Sequence, residues 1–382
     1  MSIPLSVPSF KGNESRYVQD CIETGWVSTA GTYVTRFEAA ICEYTGAKYA
    51  VAVNSGTSAL HMALLVGGVT AGDEVIVPSM TFIATANAVK YVGAEPVFVD
   101  CDDHFSMNVQ QVMDFLKDQD IRSDGIWNNA SQRRIKAIIP VHLYGNAVVL
   151  DELIEFCKQH KIIVIEDAAE SLGTFYQNNG DRQSTGVVGD FGCFSFNGNK
   201  VITSGGGGMI VTSNEEYAQR LKHLTTQAKT DAVMYVHDEV GYNNRMTNLS
   251  AALGLAQLEQ IETFIAQKEK YFNLYDALLK SHTQVTLHPI AENIRSNYWF
   301  FLLKLDANNS IGQRDGLMEK FSENKIQVRP AWRPLHLQTP YLKQQSLNLS
   351  KTMELWERVV CLPCSPGLSS SDIEQVVEII GA

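Results

Sequence analysis

Lys200 is the residue of the sequence best suited to covalent chemistry. It lies in a short polar bend after the strand-like segment "FGCFSF" and precedes four consecutive glycines, 205–208. An amine can add to an aldehyde and then carry a proton, although a lone lysine in a turn is ordinarily a solvated side chain. The glycines would let the next strand approach a buried site closely. Lys200 is therefore a candidate that requires partners elsewhere in the chain.

Asp167 is the second candidate, at the end of the wholly apolar run "IIVIED". Ligands of open α/β sheets collect at the carboxyl ends of the strands, so a carboxylate there can meet a cationic group. Asp167 could equally cap the helix that follows, and taken alone that is the simpler interpretation.

A third signal is the segment "NSGTSALHMALL", which spans residues 54–65. A strand ends, small hydroxyl residues follow, and a helix begins. Free backbone amides at a helix N-terminus bind anions such as phosphate. Simple N-capping by Ser55 or Thr57 is the alternative.

Taken together, these groups meet the needs of pyridoxal 5'-phosphate (PLP), which has an aldehyde, a pyridine nitrogen and a phosphate. Lys200 would form the Schiff base and then move a proton between the substrate carbon and the cofactor. Asp167 would keep the pyridine nitrogen protonated. Phe82 either stacks on the ring or belongs to the core. The phosphate ligands would be Gly56, Thr57, Ser58 and Ser195. We expect no metal.

The elements that must position these residues alternate along the chain. Seven short β-branched runs, from "KYAVAV" to "GGMIVT", are separated by helical patterns, which predicts an α/β fold with a mostly parallel seven-stranded sheet. Residues 1–250 would form this large PLP-binding domain. Residues 251–382 would form a smaller α+β domain, entered through a long helical stretch from about Leu249 to Leu279. The polar stretch 117–134 is interpreted as a surface excursion.

Composition excludes several classes of function. The net charge of −11 over 382 residues argues against nucleic acid as a partner. The start of the sequence lacks the pattern of a signal peptide, and no apolar run is long enough for a membrane span, so we expect a cytoplasmic protein. Seven cysteines indicate reduced thiols. Cys361 and Cys364 form a CxxC pair, for which a redox or zinc role is the weaker interpretation.

These motifs, in this order, resemble the DegT/StrS-type sugar-nucleotide aminotransferases over nearly the whole chain. The segments that carry the resemblance include "GWVSTAGTYVTRFE", "AVNSGTSALHMAL", "IEDAAESLGT", "GDFGCFSFNGNKVITSGGGGMIVT" and "GYNNRMTNLSAALGLAQLE". The resemblance implies the PLP-dependent transferase fold type I, as in aspartate aminotransferase. The chain is most similar to enzymes that aminate C4 of UDP-linked 4-keto-6-deoxy-N-acetylhexosamines on routes to bacillosamine and legionaminic acid.

The resemblance also implies roles for individual residues. Lys200, Asp167 and Ser195 would be the Schiff-base lysine, the pyridine partner and a phosphate ligand. Asn243 would reach the phosphate of the neighbouring subunit in a homodimer with a shared active site. Glu170 stands where Gln or His is common, so its contact with the ring oxygen of the cofactor is in doubt. The family lines its sugar-nucleotide pocket at positions that correspond here to Arg245, Arg329 and His336.

The implied reaction takes an amino group from L-glutamate and gives it to the UDP-linked keto sugar, for surface glycan synthesis. A non-enzymatic alternative is a PLP-bound regulatory or sugar-nucleotide-binding protein without turnover. An unrelated nucleotide-binding enzyme is a third, although "GCFSFNGNKV" lacks the Gly-Lys-Ser/Thr ending of a P-loop. A PLP desulfurase is a fourth, but Asn199 stands where such enzymes commonly have histidine.

Overall fold

The structure is a computed structural model that describes residues 2–178, 181–231, 233–306 and 311–381. Its strands are β1 Tyr49–Val53, β2 Glu74–Pro78, β3 Glu95–Val99, β4 Asp120–Arg122, β5 Gly125–Trp127, β6 Arg134–Ile138, β7 Ile163–Asp167, β8 Phe175–Asn178, β9 Asp181–Ser184, β10 Phe191–Ser195, β11 Gly208–Thr212, β12 Lys229–Asp231, β13 Val236–His237, β14 Val285–Leu287, β15 Ile294–Arg295, β16 Phe301–Leu305, β17 Arg329–Pro330 and β18 Val359–Leu362. Its α-helices are α1 Glu14–Glu23, α2 Thr32–Thr45, α3 Gly56–Val66, α4 Ala84–Tyr91, α5 Val109–Lys117, α6 Asp151–Gln159, α7 Glu215–Thr225, α8 Asn248–Leu258, α9 Ile261–Leu279, α10 Ile311–Glu323, α11 Ser350–Arg358 and α12 Ser370–Gly381.

Within the described residues, the central sheet has nine strands, seven of which follow the order β1-β11-β10-β7-β6-β2-β3. All neighbours from β10 to β3 pair in parallel, and only β11 runs against the others along this path. This confirms the α/β class and the mostly parallel seven-stranded sheet that the sequence predicts. The parallel order brings the carboxyl ends of β7 and β10 side by side, because both strands point the same way.

The two additional strands come from the stretch interpreted as a surface excursion. β4 and β5 form a hairpin, and β5 continues the sheet by pairing Ile126 with Ile135 of β6. Ile126 is fully buried, whereas β4 is exposed. The stretch is therefore only partly a surface excursion. One buried isoleucine in a polar segment gives no periodic signal, which is why the pattern did not reveal these strands.

Helices cover both faces of the sheet. Val75 and Val77 of β2 belong to a core cluster with α3, whereas Ile76, between them, belongs to a cluster with α5 and α6. Burial on both faces explains why the strands are continuous apolar runs, since each fully buried aliphatic side chain stabilises the fold by about 1.5–3 kcal/mol. The polar residues of these strands are consequently concentrated at their ends.

The C-terminal part contains a second sheet, with four antiparallel strands in the order β14-β16-β18-β17. The helical stretch expected at about 249–279 is two helices, because α8 ends at Leu258 and α9 begins at Ile261. The helix α8 packs between α1 and α2, whereas α9 turns to pack against α12. Residues near the N-terminus also join this part, since Leu5 accepts a hydrogen bond from the Cys364 amide at 2.8 Å. The division at residue 250 stays a prediction.

Within the described residues, no helix is long and apolar enough to cross a membrane. All seven cysteines are free thiols, and Cys42 alone among them is not fully buried.

Candidate active site

Seven of the residues singled out in the sequence line a single cavity of about 290 Å³: Gly56, Thr57, Phe82, Asp167, Glu170, Ser195 and Lys200. The cavity lies where β7 and β10 end and where α3 begins. The interiors of these strands and of this helix are apolar, so their polar residues lie at the ends. These ends meet at the cavity.

Lys200 points into the cavity. Its Nζ lies 3.7 Å from Oε1 of Glu170 and 4.0 Å from the centre of the Trp299 ring system. The side chain is only 14% exposed. Burial lowers the pKa of the Lys200 amine, and the carboxylates of Glu170 and Asp167 partly oppose this shift. A lowered pKa makes the amine more available as a nucleophile and as a proton acceptor.

Asp167 ends β7 and is buried. Its Oδ2 accepts a hydrogen bond of 2.7 Å from the Thr85 hydroxyl, and its Oδ1 accepts one of 3.2 Å from the Ala169 amide. Ala169 lies in a turn, so the alternative of a helix cap does not apply. Burial raises the pKa of Asp167, and the hydrogen bonds and Lys200 act against that rise. Such a carboxylate is poised to pair with a cationic ring nitrogen.

Glu170 is 5% exposed, and its Oε2 accepts a hydrogen bond of 2.9 Å from the Tyr144 amide. Burial raises the pKa of Glu170 to about 7, and the nearby Lys200 opposes this. The Tyr144 amide is aimed at Glu170 by an unusual backbone, with a φ of 56° at Tyr144 followed by 89° at Gly145. The segment is thus held in a left-handed conformation that directs a donor to this carboxylate.

The start of α3 forms an anion cradle. Ser55 is the N-cap, and its Oγ accepts a hydrogen bond of 3.0 Å from the Ser58 amide. The capping alternative therefore holds for Ser55, which lines the cavity together with Gly56 and Thr57. The Ser58 hydroxyl is 3.0 Å from Ser55 Oγ, and Ser58 is not among the lining residues. A Cβ on Gly56 would come within 2.8 Å of the Ser195 Cβ, so this close approach requires glycine.

The close packing of the cradle also depends on β11. A Cβ on Gly208 would lie 2.5 Å from the Ser55 carbonyl oxygen, inside van der Waals contact. The last of the four glycines therefore packs β11 against the start of α3. This is the close approach that the sequence predicts for the glycine run.

An aromatic wall completes the cavity, and sequence reasoning missed it. The Tyr144 ring lies nearly parallel to Trp299 and to Trp332, with centroids 6.3 Å apart in both pairs. Trp299 donates a hydrogen bond of 2.7 Å from Nε1 to the Asn199 carbonyl. Phe82 is 50% exposed and lies 5.2 Å from Trp332. Phe82 is thus available at the cavity rather than part of the core.

Besides Ser58, four predicted residues do not line this cavity. Arg329 lines a neighbouring cavity of about 260 Å³, and Arg245 lines a third of about 270 Å³, where its Nε is buried without a hydrogen-bond partner. The Nδ1 of His336 lies 2.7 Å from the Ser79 hydroxyl. Asn243 is exposed. A single chain therefore does not bring these four residues to Lys200.

A buried pair supports the end of β7. Glu166 accepts a hydrogen bond of 2.8 Å from His142 Nε2, and His142 Nδ1 accepts one of 3.0 Å from the Val148 amide. The Nε2 atom therefore carries the proton. Burial raises the pKa of Glu166, but its hydrogen bonds outweigh burial and lower it. The other donors to Glu166 are the backbone amides of residues 186, 188 and 189.

The CxxC pair lies behind the wall of the cavity, where Cys364 Sγ donates a hydrogen bond of 3.1 Å to the Trp299 carbonyl. Cys361 and Cys364 are buried free thiols, and burial raises the pKa of each. Within the described part of the chain, one group has the spacing of a metal site, formed by His223, Asp238 and Glu239. Glu239 is already paired with Arg220 there. None of these residues lines the cavity that contains Lys200.

The cavity fits PLP in its chemistry. A shielded amine, a buried strand-end carboxylate and a helix N-terminus with its cap already satisfied meet the aldehyde, the ring nitrogen and the phosphate. Glycine at positions 56 and 208 keeps the cradle tight. One bound PLP molecule would account for Lys200, Asp167 and the start of α3 together.

Comparison with known proteins agrees with this geometry. A model of the DegT/DnrJ/EryC1/StrS aminotransferase family matches residues 8–381. GDP-perosamine synthase of Caulobacter vibrioides is 37% identical over 377 residues, which are 98% of this chain and 96% of that protein. GDP-perosamine synthase of Escherichia coli O157:H7 is 37% identical over 380 residues, which are 99% of this chain and 97% of that protein.

A solved structure is also similar. The DegT/DnrJ/EryC1/StrS aminotransferase from Brucella abortus has a TM-score of 0.86 at 29% identity, covering 97% of this chain and 94% of that one. The chain therefore belongs to the DegT/DnrJ/EryC1/StrS aminotransferase family, and it is a PLP-dependent sugar aminotransferase of fold type I. The two relatives are named for a GDP-linked sugar, not for the UDP-linked sugars of the bacillosamine and legionaminic acid routes.

Proposed function

We propose that this protein transfers an amino group from L-glutamate to C4 of a nucleotide-linked 4-keto-6-deoxy sugar, giving a 4-amino sugar for surface glycan synthesis. The observation that carries the proposal is that Lys200 and Asp167 lie in one buried cavity with the N-terminus of α3. A regulatory or binding protein without turnover would not need this reactive pair. Family membership supports transfer rather than binding alone.

Each residue of the cavity has its own role in the proposed amino transfer. When bound, PLP supplies an aldehyde and a ring that stabilises negative charge at the substrate carbon. Lys200 Nζ would move a proton between that carbon and the cofactor, because its lowered pKa leaves the amine available. Asp167 holds the proton on the ring nitrogen. Gly56, Thr57 and Ser195 bind the phosphate, and the Trp299 and Trp332 walls exclude water.

The nucleotide of the sugar is the finer part of the proposal. The resemblance seen in the sequence favours a UDP-linked N-acetyl sugar. The two relatives at 37% identity are named GDP-perosamine synthase, which favours a GDP-linked sugar. We propose the GDP-linked keto sugar as the first candidate substrate and the UDP-linked one as the second. The reason is that both GDP-perosamine synthases match this chain over nearly its full length.

We also propose a homodimer in which Asn243 of each subunit reaches the phosphate of the other. Two features support this. Asn243 is exposed, so it is free to contact another chain. The carbonyl of its neighbour Asn244 accepts a hydrogen bond of 2.9 Å from the Asn54 amide, beside the cradle. Asn243 therefore projects from a segment that is anchored at the site.

The test is an amino-transfer assay with purified, PLP-loaded protein and L-glutamate. The acceptors would be GDP-, UDP- and dTDP-linked 4-keto-6-deoxy sugars, with products identified by mass spectrometry. We expect a 4-amino sugar from the GDP-linked substrate, and none with Lys200→Ala. Selective amination of the UDP-linked sugar would replace the first choice with the second. Tight binding of sugar nucleotides without amination of any acceptor would favour the non-enzymatic alternative.

A further inference from the structure

Lys268 is a buried lysine on α9, with 1% of its surface exposed. Its Nζ donates hydrogen bonds to two backbone carbonyls, that of Trp299 at 3.2 Å and that of Cys364 at 2.5 Å. Among the described residues, the amine has these neutral acceptors and no carboxylate as an ion-pair partner. A buried amine without a counter-ion is costly to the fold, so its two hydrogen bonds must account for its presence.

Trp299 connects Lys268 to the cavity that contains Lys200. Its carbonyl accepts the hydrogen bond from Lys268, whereas its ring lines the cavity. The Lys200 Nζ lies 4.0 Å from the centre of that ring. A single residue therefore bridges the buried amine of α9 and the amine that is suited to covalent chemistry.

The backbone that carries Trp299 is strained. The preceding residue, Tyr298, has a φ of 54°, in the left-handed region that a tyrosine adopts only where surrounding contacts impose it. The Tyr298 amide donates a hydrogen bond of 2.9 Å to Ser296 Oγ, and the Trp299 amide donates one of 2.9 Å to Asn297 Oδ1. These bonds hold the segment on its N-terminal side. Lys268 holds it at the Trp299 carbonyl, so loss of that amine would allow the backbone to relax and the ring to move.

The other contacts of Trp299 leave this role to Lys268. Cys364 Sγ also donates to the Trp299 carbonyl, at 3.1 Å, but a thiol is a weak donor. The Trp299 Nε1 donates a hydrogen bond of 2.7 Å to the carbonyl of Asn199. Because Asn199 directly precedes Lys200, a shift of Trp299 would also disturb the backbone at the reactive lysine.

We propose that Lys268 is a positioning residue, which holds the Trp299 carbonyl and thereby keeps the Trp299 ring against the Lys200 amine. The ring then shields that amine from water. This inference deepens the proposed function and rests on it, because it concerns the amine that amino transfer requires. The alternative is a lysine that only ties α9 to its neighbouring segments. Such a lysine would stabilise the fold and leave the chemistry of Lys200 unaffected.

The test follows the capture of PLP by the full-length protein from which the cofactor has been removed. The unprotonated amine is the form that reacts, so the capture rate rises with pH and its midpoint follows the pKa of Lys200. Lys200→Ala supplies the blank. Burial is the largest cause of the lowered pKa of Lys200. We therefore expect Lys268→Met to raise the midpoint by about half a pH unit or more, because water then reaches the amine.

A double-mutant cycle distinguishes positioning from a general loss of stability. Trp299→Leu removes the ring and should raise the midpoint in the same direction. If Lys268 acts through that ring, Lys268→Met should add no further shift in the double variant. Additive shifts, or shifts of opposite sign in the two single variants, would overturn the proposal. An unchanged midpoint in either single variant would also overturn it.

Lys270→Met is the matched control, because Lys270 lies on the same helix and is exposed. It should leave the midpoint unchanged, and a shift as large as that of Lys268→Met would count against the proposal.

Lys268→Gln retains an amide donor and should shift the midpoint less than Lys268→Met. It also carries the test if Lys268→Met does not fold, as judged by circular dichroism, and an unchanged midpoint would then refute the role of Lys268. Capture is measured with PLP alone, without glutamate or sugar. Failure to aminate any sugar would therefore contradict the proposed function and leave the result for Lys268 intact.

Discussion

Lys200 Nζ and Glu170 Oε1 lie 3.7 Å apart, and both side chains are largely shielded from water. Burial lowers the pKa of the lysine and raises the pKa of the glutamate to about 7. Both shifts disfavour charge, so moving a proton from the amine to the carboxylate costs much less here than in water. Glu170 is thereby suited to exchange protons with Lys200.

The first prediction concerns the stability of the cofactor-free protein. The carboxyl of Glu170 has a pKa raised from 4.5 to about 7 in the folded state, so its contribution to stability is present below pH 4.5 and is lost as the pH rises through 7. Wild type should therefore lose up to about 3 kcal/mol of unfolding free energy between pH 4.5 and 7.5 relative to Glu170→Gln. Denaturant unfolding of both proteins at the two pH values measures this. A difference that does not vary with pH would contradict it.

The second prediction is that borohydride reduction of the PLP-loaded protein attaches pyridoxyl to Lys200, as found by peptide mapping. The reason is that Lys200 is the one lysine lining the cavity, among the described residues. Lys268 provides an internal control. It is also buried, but it donates its hydrogen bonds to the Trp299 and Cys364 carbonyls. Label on Lys268, or on any lysine except Lys200, would refute the assignment.

The third prediction is that Asp167→Asn lowers kcat by about 100-fold or more, since an amide cannot hold the ring proton as a carboxylate does. The variant should still take up PLP, because the cradle at α3 is unchanged. Thr85→Val is the comparison, because it removes only one hydrogen bond to Asp167. We expect a smaller loss, of about 10-fold or less. Steady-state kinetics would measure both, and equal activity of Asp167→Asn and wild type would exclude the proposed role.

The fourth prediction concerns the glycine at the start of β11. Gly208→Ala would put a Cβ 2.5 Å from the Ser55 carbonyl oxygen, so the backbone has to move. We expect a loss of about 1–3 kcal/mol in stability together with weaker PLP binding. Gly198→Ala is the control, because it has no atom within 4 Å of the added Cβ. Thermal unfolding and cofactor titration test both. Full cofactor affinity in Gly208→Ala would argue against the close-packed cradle.

The fold was predictable because its physical signals are local. Buried parallel strands are apolar runs that end in polar residues, so Asp167 and Ser195 could be located from the pattern alone. The hairpin β4–β5 escaped notice because Ile126 is its one fully buried apolar side chain. The break between α8 and α9 was missed because apolar residues recur at helical spacing on both sides of it.

The parts of the site that were missed depend on contacts between distant segments. Trp299 lies just before β16, and nothing in its neighbours indicates that its ring would contact Lys200 at 4.0 Å. Thr85 lies inside α4, where a hydroxyl gives no functional signal, and yet it binds Asp167. Arg329 could be singled out by its segment, but only the structure gives it a cavity of its own.

The pairing of β1 with β11 constrains when the cradle can assemble. Val53 of β1 lies opposite Gly208, so the strand leading into α3 stays without its neighbour until most of the sheet has been synthesised. A chain whose synthesis stops before Thr212 would leave the edge of β1 unpaired and could not hold PLP. During synthesis on the ribosome, the sheet can therefore close and the coenzyme can bind only after β11 has been made.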